Sequence, residues 1–182
     1  IRDMGFTTPS TVQARTIPLM MDGVDINAIA PTGTGKTCAF GIPMLEYVQL
    51  QDECVQEVVL APTRELALQI GDELTKLAKY IQGARIAVLY GGQPITKQLN
   101  APKRKPQVVT ATPGRLLDLH SQRLLDLSGV EIFVLDEADR MLDMGFIHDV
   151  RRVLKVLPQK KQTLFFSATM PPEVMELVDA LL

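Results

Sequence analysis

Short runs of consecutive apolar residues are the most regular feature of this chain. Such runs are typical of strands that are covered on both faces of a sheet, because a strand with one wet face alternates apolar and polar residues. Six segments have this character and predict strands at residues 26–30, 57–61, 85–90, 107–111, 131–135 and 163–167.

Longer amphipathic stretches separate these runs. They predict helices at residues 36–47, 64–80, 113–120 and 148–157, and a further helix that begins near residue 172. The repetition of strand, helix and strand predicts right-handed crossovers within a parallel sheet that carries helices on both faces. The predicted fold class is therefore α/β.

Length, composition and charge narrow this picture. The chain has 182 residues, of which 46% are hydrophobic and 22% charged, and these values are typical of one globular domain. The sequence has no run of about eighteen apolar residues and therefore predicts no membrane span. The formal charge of −2 argues against binding nucleic acid through a general positive field, although it allows a local groove of backbone amides and a few arginines.

Cysteine and histidine are sparse. Cys38 and Cys54 are the only cysteines, and their spacing fits no metal motif. Free thiols in a reducing compartment are therefore expected, which predicts a cytoplasmic protein. The only histidines, His120 and His148, lie far apart in the sequence, which argues against a histidine-rich metal site.

A polar motif follows each predicted strand. In open parallel sheets, ligands bind beyond the carboxyl ends of the strands. In chain order the motifs read APTGTGKT, APTRELA, GG, ATPGR, DEAD and SAT. We therefore expect these six motifs to share one active edge of the sheet.

The segment after the first strand has the chemistry of a phosphate-binding loop. Gly33 and Gly35 let backbone amides curl around phosphate oxygens. Lys36 is placed to reach the β and γ phosphates, and the Thr37 hydroxyl to ligate Mg²⁺. The alternative is a glycine-rich turn that only caps a helix, and the first residue is Ala30 where the strict pattern has glycine. The predicted loop comprises Ala30, Pro31, Thr32, Gly33, Thr34, Gly35, Lys36 and Thr37.

Three carboxylates follow the fifth predicted strand. Asp136 is placed to bind Mg²⁺, directly or through water, and Glu137 to orient or deprotonate an attacking water. The alternative is helix capping by Asp136 with Asp139 in the first turn, since acidic residues are common at helix starts. Beside a phosphate loop, capping is a poor explanation for the whole run.

Taken in order, the motifs closely resemble those of the first, RecA-like domain of the DEAD-box RNA helicases. Residues 5–13, GFTTPSTVQ, are similar to the Q motif of that family, and residues 30–37 to its motif I, including the initial alanine. Each shorter motif is weak alone, but their order and spacing are specific and cover nearly the whole chain. Motifs Ia, GG, Ib, II and III correspond to residues 62–67, 91–92, 112–115, 136–139 and 167–169.

The resemblance implies that residues 1–182 form one ATP-binding domain that uses ATP and Mg²⁺. Gln13 is implied to hydrogen-bond the adenine, although a polar helix residue is the alternative. Residues 30–37 are implied to hold the phosphates, with Lys36, Asp136 and Glu137 at the reacting group. Asp139, Ser167 and Thr169 are implied to form a hydrogen-bond relay from the nucleotide to RNA and to a second domain.

Another set of residues is implied to face the RNA backbone. Arginine fits phosphate oxygens as a fork, threonine donates a hydroxyl and glycine permits close approach. Contacts to sugar and phosphate carry no base readout, so little sequence preference is expected. The alternatives are an arginine paired with a carboxylate and a glycine pair that only forms a turn. The implied residues are Arg64, Gly91, Gly92, Thr112 and Arg115.

The family's remaining motifs lie on a second RecA-like domain, which this chain does not contain. The resemblance therefore implies an ATP-dependent RNA helicase of which the chain is one half, monomeric and nearly inactive by itself. Two rival functions remain open. One is a phosphate-loop NTPase that acts on DNA or protein, and the other is an ATP-gated RNA clamp or scaffold.

Overall fold

The computed structural model describes residues 8–31, 35–92 and 105–182, and all six predicted strands are present. Each boundary lies within one residue of its prediction, because burial on both faces makes the apolar runs easy to delimit. The strands are β1 (Ile26–Ile29), β2 (Glu57–Leu60), β3 (Ile86–Leu89), β4 (Val108–Ala111), β5 (Ile132–Leu135) and β6 (Gln162–Ser167).

Seven helices lie in the described ranges. They are α1 (Thr11–Met21), α2 (Lys36–Tyr47), α3 (Arg64–Leu77), α4 (Pro113–Ser121), α5 (Ala138–Asp143), α6 (Ile147–Val156) and α7 (Pro172–Leu181). Helix α3 ends at Leu77, three residues before the predicted boundary. The backbone N–H of the C-cap residue Ala78 donates to the carbonyls of Leu74 and Lys76. Within these ranges no helix is both long and apolar enough to cross a bilayer.

Helix α1 is not among the predicted helices. Its interior contains Pro18, which removes a backbone donor, and this makes the pattern look less helical. A capping box offsets that loss at the first turn: Ser10 Oγ accepts from the N–H of Gln13, and Gln13 Oε1 accepts from the N–H of Ser10. The helix buries Thr16 and Met20, which lie one turn apart on the same side.

The strands form one sheet in the order β1-β6-β5-β2-β4-β3, and every neighbouring pair is parallel. The register aligns their carboxyl ends, because Leu60 lies opposite both Leu135 and Ala111, and Ile29 lies opposite Ser167. Residues that follow different strands therefore meet at one edge. This agrees with the predicted α/β architecture.

Helices cover both faces of the sheet. In β5, Phe133 and Leu135 pack with the cluster that contains α4, α5, α6 and α7. Ile132 and Val134 point to the opposite face, into the cluster that contains α1, α2 and α3. All four residues are buried, as expected for a strand with no wet face.

The amino-terminal end of the sheet contains an unusual buried carboxyl. Glu57 begins the central strand β2 and is 0% exposed, and neither of its carboxyl oxygens has a hydrogen-bond partner among the described residues. Burial raises the pKa of Glu57 well above its ordinary value, and the negative charge of Glu131 raises it further. Both effects favour the neutral form of the carboxyl in the folded state.

Candidate active site

The segments that follow β1 and β5, which are separated in the sheet by β6, place a lysine against a carboxylate pair. Lys36 begins α2 after the loop that follows β1, and Asp136 follows β5. Lys36 Nζ lies 2.9 Å from Asp136 Oδ1 and 3.6 Å from Glu137 Oε1. Lys36 is 8% exposed, Asp136 2% and Glu137 8%, so the group is largely shielded from water.

The carboxylate of Asp136 has unused acceptor capacity. Burial raises its pKa, and the Lys36 ammonium offsets only part of that rise. Asp136 Oδ1 is paired with the Lys36 ammonium at 2.9 Å, and an ionised carboxylate has about four acceptor sites, so it keeps capacity for further partners. A buried carboxylate with remaining acceptor sites fits a hard cation such as Mg²⁺.

The donor set around this oxygen fits a magnesium ion that is shared with phosphate. Thr37 follows Lys36 at the start of α2 and is buried, and its hydroxyl is the oxygen that the phosphate-loop pattern assigns to the metal. In the described part of the chain, no three His, Cys, Asp or Glu residues group closely enough to hold a metal ion. Mg²⁺ typically takes one or two protein oxygens and completes its shell with water and phosphate, so these residues fit it.

Glu137 has a strained backbone. Its φ of 54° and ψ of 53° place it in the left-handed region, where a side chain with a Cβ costs about 1 kcal/mol or more. Arg140 Nη1 lies 3.4 Å from Glu137 Oε2, one turn along α5. The Glu137 carboxylate is thus located between two cations, Lys36 and Arg140.

Gly35 is the last residue of the phosphate loop before α2, and its conformation requires glycine. Its φ is 77°, and a Cβ at this position would collide with Nε2 of Gln13. Ala30 is buried and Pro31 is exposed at the start of the loop. The predicted loop residues Thr32, Gly33 and Thr34 lie outside the described residues.

Gln13 connects α1 to the phosphate loop. Its Nε2 donates to the carbonyl of Gly35 at 3.1 Å, while its Oε1 accepts from the N–H of Ser10 at 2.9 Å. A primary amide has two N–H donors and two acceptor lone pairs, so one of each remains for another group. The structure therefore places Gln13 beside the loop.

Asp139, Ser167 and Thr169 form one hydrogen-bonded cluster. Thr169 donates to Asp139 Oδ2 from its backbone nitrogen at 3.0 Å and from its hydroxyl at 2.8 Å. Ser167 Oγ accepts from the N–H of Asp139 at 3.1 Å and donates to the carbonyl of Thr169 at 2.6 Å. Burial acts to raise the pKa of Asp139, but the hydrogen bonds from Thr169 outweigh it and the pKa is lowered.

The predicted RNA-facing residues lie at the other half of the same edge. Arg64 follows β2 and is exposed, and Gly91 and Gly92 follow β3 and are also exposed. Thr112 caps α4 after β4, and its N–H donates to the Leu89 carbonyl at 3.1 Å. The strand order thus divides the edge: β1, β6 and β5 lead to the phosphate loop and carboxylates, and β2, β4 and β3 lead to this second group.

Arg115 is less accessible than its predicted role suggests. Only 12% of its side chain is exposed, and Nη1 donates to Asp118 Oδ2 at 3.3 Å. Asp118 Oδ1 in turn accepts from Gln122 Nε2 at 2.8 Å. A phosphate would have to share the guanidinium with this carboxylate.

The sequence analysis did not predict two residues that contact the site. Arg140 contacts Glu137, and Tyr90 contacts Arg64, whose Cζ lies 4.7 Å from the Tyr90 ring centroid. The spacing of three residues between Glu137 and Arg140 on a helix is a signal that could have indicated the first contact. No sequence signal indicates the second, because it joins residues from two different strand ends.

Comparison with known proteins identifies the family of this chain. Residues 10–177 match the sequence model of the DEAD/DEAH box helicase family. The chain is 48% identical over 179 residues to the DEAD-box ATP-dependent RNA helicase CshA of Bacillus cereus, covering 98% of this chain and 34% of that protein. It is 48% identical over 174 residues to the ATP-dependent RNA helicase CshA of Listeria monocytogenes, covering 96% of this chain and 33% of that protein.

Solved structures show the same fold. A DEAD box protein from the hyperthermophile Methanococcus jannaschii superposes with a TM-score of 0.92 at 41% identity, covering 100% of this chain and 50% of that one. A hypothetical ATP-dependent RNA helicase from Sulfolobus tokodaii superposes with a TM-score of 0.91, also at 41% identity, covering 100% and 52%. Both matches support the RecA-like arrangement of a parallel sheet between helices.

The fold and site together define a RecA-like domain of the helicase type. The chain belongs to the DEAD/DEAH box helicase family. It spans about a third of the length of the curated relatives it matches.

Proposed function

We propose that this chain is the ATP-binding half of an ATP-dependent RNA helicase. The contact between Lys36 Nζ and the buried Asp136 Oδ1 at 2.9 Å carries this proposal. A lysine at a helix start, paired with a buried carboxylate at the next-but-one strand end, suits a triphosphate with its magnesium ion. The names of the relatives, which are ATP-dependent RNA helicases, support the same substrate.

The phosphate loop and α1 bind the nucleotide in this proposal. Lys36 moves its ammonium from Asp136 to the β and γ phosphates, and the start of α2 adds backbone amides and a favourable dipole. Gln13 uses its remaining donor and acceptor for the adenine. A cavity of about 710 Å³ between α1 and β1, lined in part by Ser10, Ala30 and Pro31, offers room for a ligand beside the loop.

The carboxylates act on the metal and on water. Asp136 and Thr37 would hold Mg²⁺, which neutralises charge on the phosphates when bound. Glu137 accepts a hydrogen bond from the attacking water and orients it. Lys36 and Arg140 lie on either side of the Glu137 carboxylate.

RNA binds in this proposal at the other half of the edge, where β2, β4 and β3 end. Arg64, Gly91, Gly92 and Thr112 bind the RNA backbone, and Arg115 joins them when a phosphate shares its contact with Asp118. The cluster of Asp139, Ser167 and Thr169 links the carboxylates to β6. A second RecA-like domain supplies the remaining groups, so the chain alone is expected to be monomeric and to turn over ATP slowly or not at all.

A lysine substitution tests nucleotide binding by the isolated chain. Lys36→Ala should reduce binding of a fluorescent ATP analogue in the presence of Mg²⁺ by at least tenfold, because a buried charge contact to phosphate is lost. Lys160→Ala, at an exposed lysine before β6, serves as the matched control and should bind normally. Equal affinity of the Lys36→Ala and wild-type proteins would contradict the proposed site.

ATP turnover tests whether the isolated chain holds only half of the active site. The isolated chain should show little ATPase activity with or without single-stranded RNA, because the groups of a second domain can matter by roughly a thousandfold or more. The complete protein should hydrolyse ATP faster when RNA is added, and RNA should compete better than DNA. Robust RNA-stimulated ATPase activity of the isolated chain would overturn the proposal that it holds only half of the site.

A further inference from the structure

The Tyr90 ring lies against the guanidinium of Arg64, at the half of the edge that we assign to RNA. Arg64 Cζ is 4.7 Å from the ring centroid, within the range of a cation–π contact. Tyr90 is only 7% exposed, whereas Arg64 is exposed. We propose that Tyr90 is a positioning residue that holds Arg64 ready for a phosphate of single-stranded RNA, an inference that rests on the proposed function.

The elements that carry the two residues are fixed against each other. Helix α3, which begins at Arg64, approaches β3 so closely that a Cβ at Gly71 would collide with Val88. The buried Thr110 hydroxyl on β4 also donates to the Ala67 carbonyl of α3 at 3.0 Å. Because Tyr90 follows β3 directly, its ring has a fixed position relative to the start of α3.

A cation–π contact leaves the hydrogen-bonding groups of arginine available. The face of an aromatic ring attracts the charge of the guanidinium but offers no oxygen to its N–H groups, which remain for other partners. Phosphate oxygens bind those N–H groups as a fork. Tyr90 therefore orients Arg64 without competing for its donors, and a preoriented side chain loses less freedom on binding.

No carboxylate of the described residues occupies the position that we propose for an RNA phosphate beside the Arg64 guanidinium. Arg64 forms no ion pair within the described ranges, including with its neighbour Glu65. Gly91 and Gly92 follow Tyr90 in the chain, and a Cβ on either would meet no atom of the described residues within 4 Å.

Substitutions in the complete protein test the role of Tyr90. The probe is a fluorescein-labelled single-stranded uridine oligonucleotide, bound in the presence of a non-hydrolysable ATP analogue. Tyr90→Leu should weaken RNA binding about two- to fivefold, which is the equivalent of one cation–π contact, while Tyr90→Phe keeps the ring and should bind normally. Tyr80→Leu is the matched control, because Tyr80 contacts Lys79 Nζ at 5.3 Å in a similar way but lies beyond the far end of α3.

A double-mutant cycle separates positioning from a merely structural role. If Tyr90 acts through Arg64, Tyr90→Leu should have no further effect on RNA affinity in an Arg64→Ala background. Independent, additive losses would overturn the inference. Fluorinated phenylalanines at position 90 keep the ring shape and weaken its negative face, so RNA affinity should fall with each added fluorine even if Tyr90→Leu does not fold.

The outcomes distinguish this inference from the proposed function. Failure of the wild-type complete protein to bind the oligonucleotide would contradict the proposed function itself. Wild-type binding with unchanged affinity in both Tyr90→Leu and the fluorinated series would contradict only the role of Tyr90. Affinity for the ATP analogue should stay constant throughout, since Tyr90 lies at the other half of the edge.

Discussion

Thr169 donates two hydrogen bonds to the same oxygen of Asp139, one from its backbone nitrogen and one from its hydroxyl. This pairing joins the last residue of motif II to the last residue of motif III, 30 positions further along the chain. It connects the start of α5 to the loop after β6. A change at either partner is therefore expected to affect both segments.

Removal of the Thr169 hydroxyl should uncouple the two segments. In the complete protein, Thr169→Val keeps the side-chain shape and the backbone hydrogen bond but loses the contact at 2.8 Å. We expect normal ATP binding, reduced RNA unwinding per ATP hydrolysed, and a stability loss of about 1 kcal/mol. Thr169→Ser should restore coupling, and Thr75→Val on the outer part of α3 is the control. Equal RNA unwinding per ATP hydrolysed by Thr169→Val and wild type would contradict a role of the Thr169 hydroxyl in coupling.

Acid should weaken the Asp139 cluster. Burial alone would raise the pKa of Asp139, but its hydrogen bonds from Thr169 lower it in the folded state. The resulting stabilisation is present above the unfolded pKa near 4 and is lost as pH falls through the lowered folded pKa. Urea unfolding of the isolated chain between pH 5 and pH 3 should therefore fall off less steeply in Asp139→Asn than in wild type. A parallel fall in both proteins would show that Asp139 does not contribute.

Glu57 should give the opposite pH dependence. Its pKa is raised by burial and by Glu131, so the neutral form stabilises the fold below the unfolded pKa near 4.3, and this stability is lost as pH rises toward the folded pKa. Glu57→Gln cannot ionise. Its advantage over wild type in free energy of unfolding should therefore increase between pH 5 and pH 8.

Glu131→Gln provides the control for that experiment. It removes the neighbouring charge but leaves Glu57 buried, so it should reduce the pH dependence without abolishing it. Guanidinium chloride unfolding at several pH values measures all three proteins. A constant difference between Glu57→Gln and wild type across this range would show that Glu57 does not titrate with folding.

Two glycines with nearly equal φ angles separate backbone strain from side-chain collision. Gly23 has φ 78° with nothing within 4 Å of a Cβ, and Gly35 has φ 77° with Gln13 in the way. Gly23→Ala should cost about 1 kcal/mol of unfolding free energy, and Gly35→Ala should cost more. Adding Gln13→Ala to Gly35→Ala should recover only the part of the loss in unfolding free energy that comes from the collision, and the cost of the backbone strain should remain. If Gly35→Ala costs no more than Gly23→Ala, Gln13 does not constrain the loop.

Glu137→Gln tests the water-orienting carboxylate. In the complete protein, the amide keeps the size of the side chain but accepts a proton poorly, so we expect ATP affinity within about twofold of wild type and a fall in kcat of at least a hundredfold. Glu176→Gln, an exposed site on α7, is the control. An unchanged kcat in Glu137→Gln would contradict the proposed role of Glu137 in orienting the attacking water.

Local sequence was sufficient for the strands and for the motifs. Burial on both faces makes β2 and β5 apolar at consecutive positions, and this signal needs no tertiary information. Helix α1 was harder, because Pro18 disturbs its pattern and its start depends on the reciprocal bonds of Ser10 and Gln13. The resemblance placed the site residues in order, but order along the chain does not give distance.

The sequence by itself determined the α/β class, the six strands and the residue types at the active edge. Only the tertiary structure decided that Lys36 contacts Asp136, that Thr169 contacts Asp139 and that Tyr90 contacts Arg64. The physical reason is that these contacts depend on strand order and register, which crossover connections set over long sequence separations. For the same reason, the buried Glu57 looks like an ordinary polar residue at a strand start until neighbouring strands and helices enclose it.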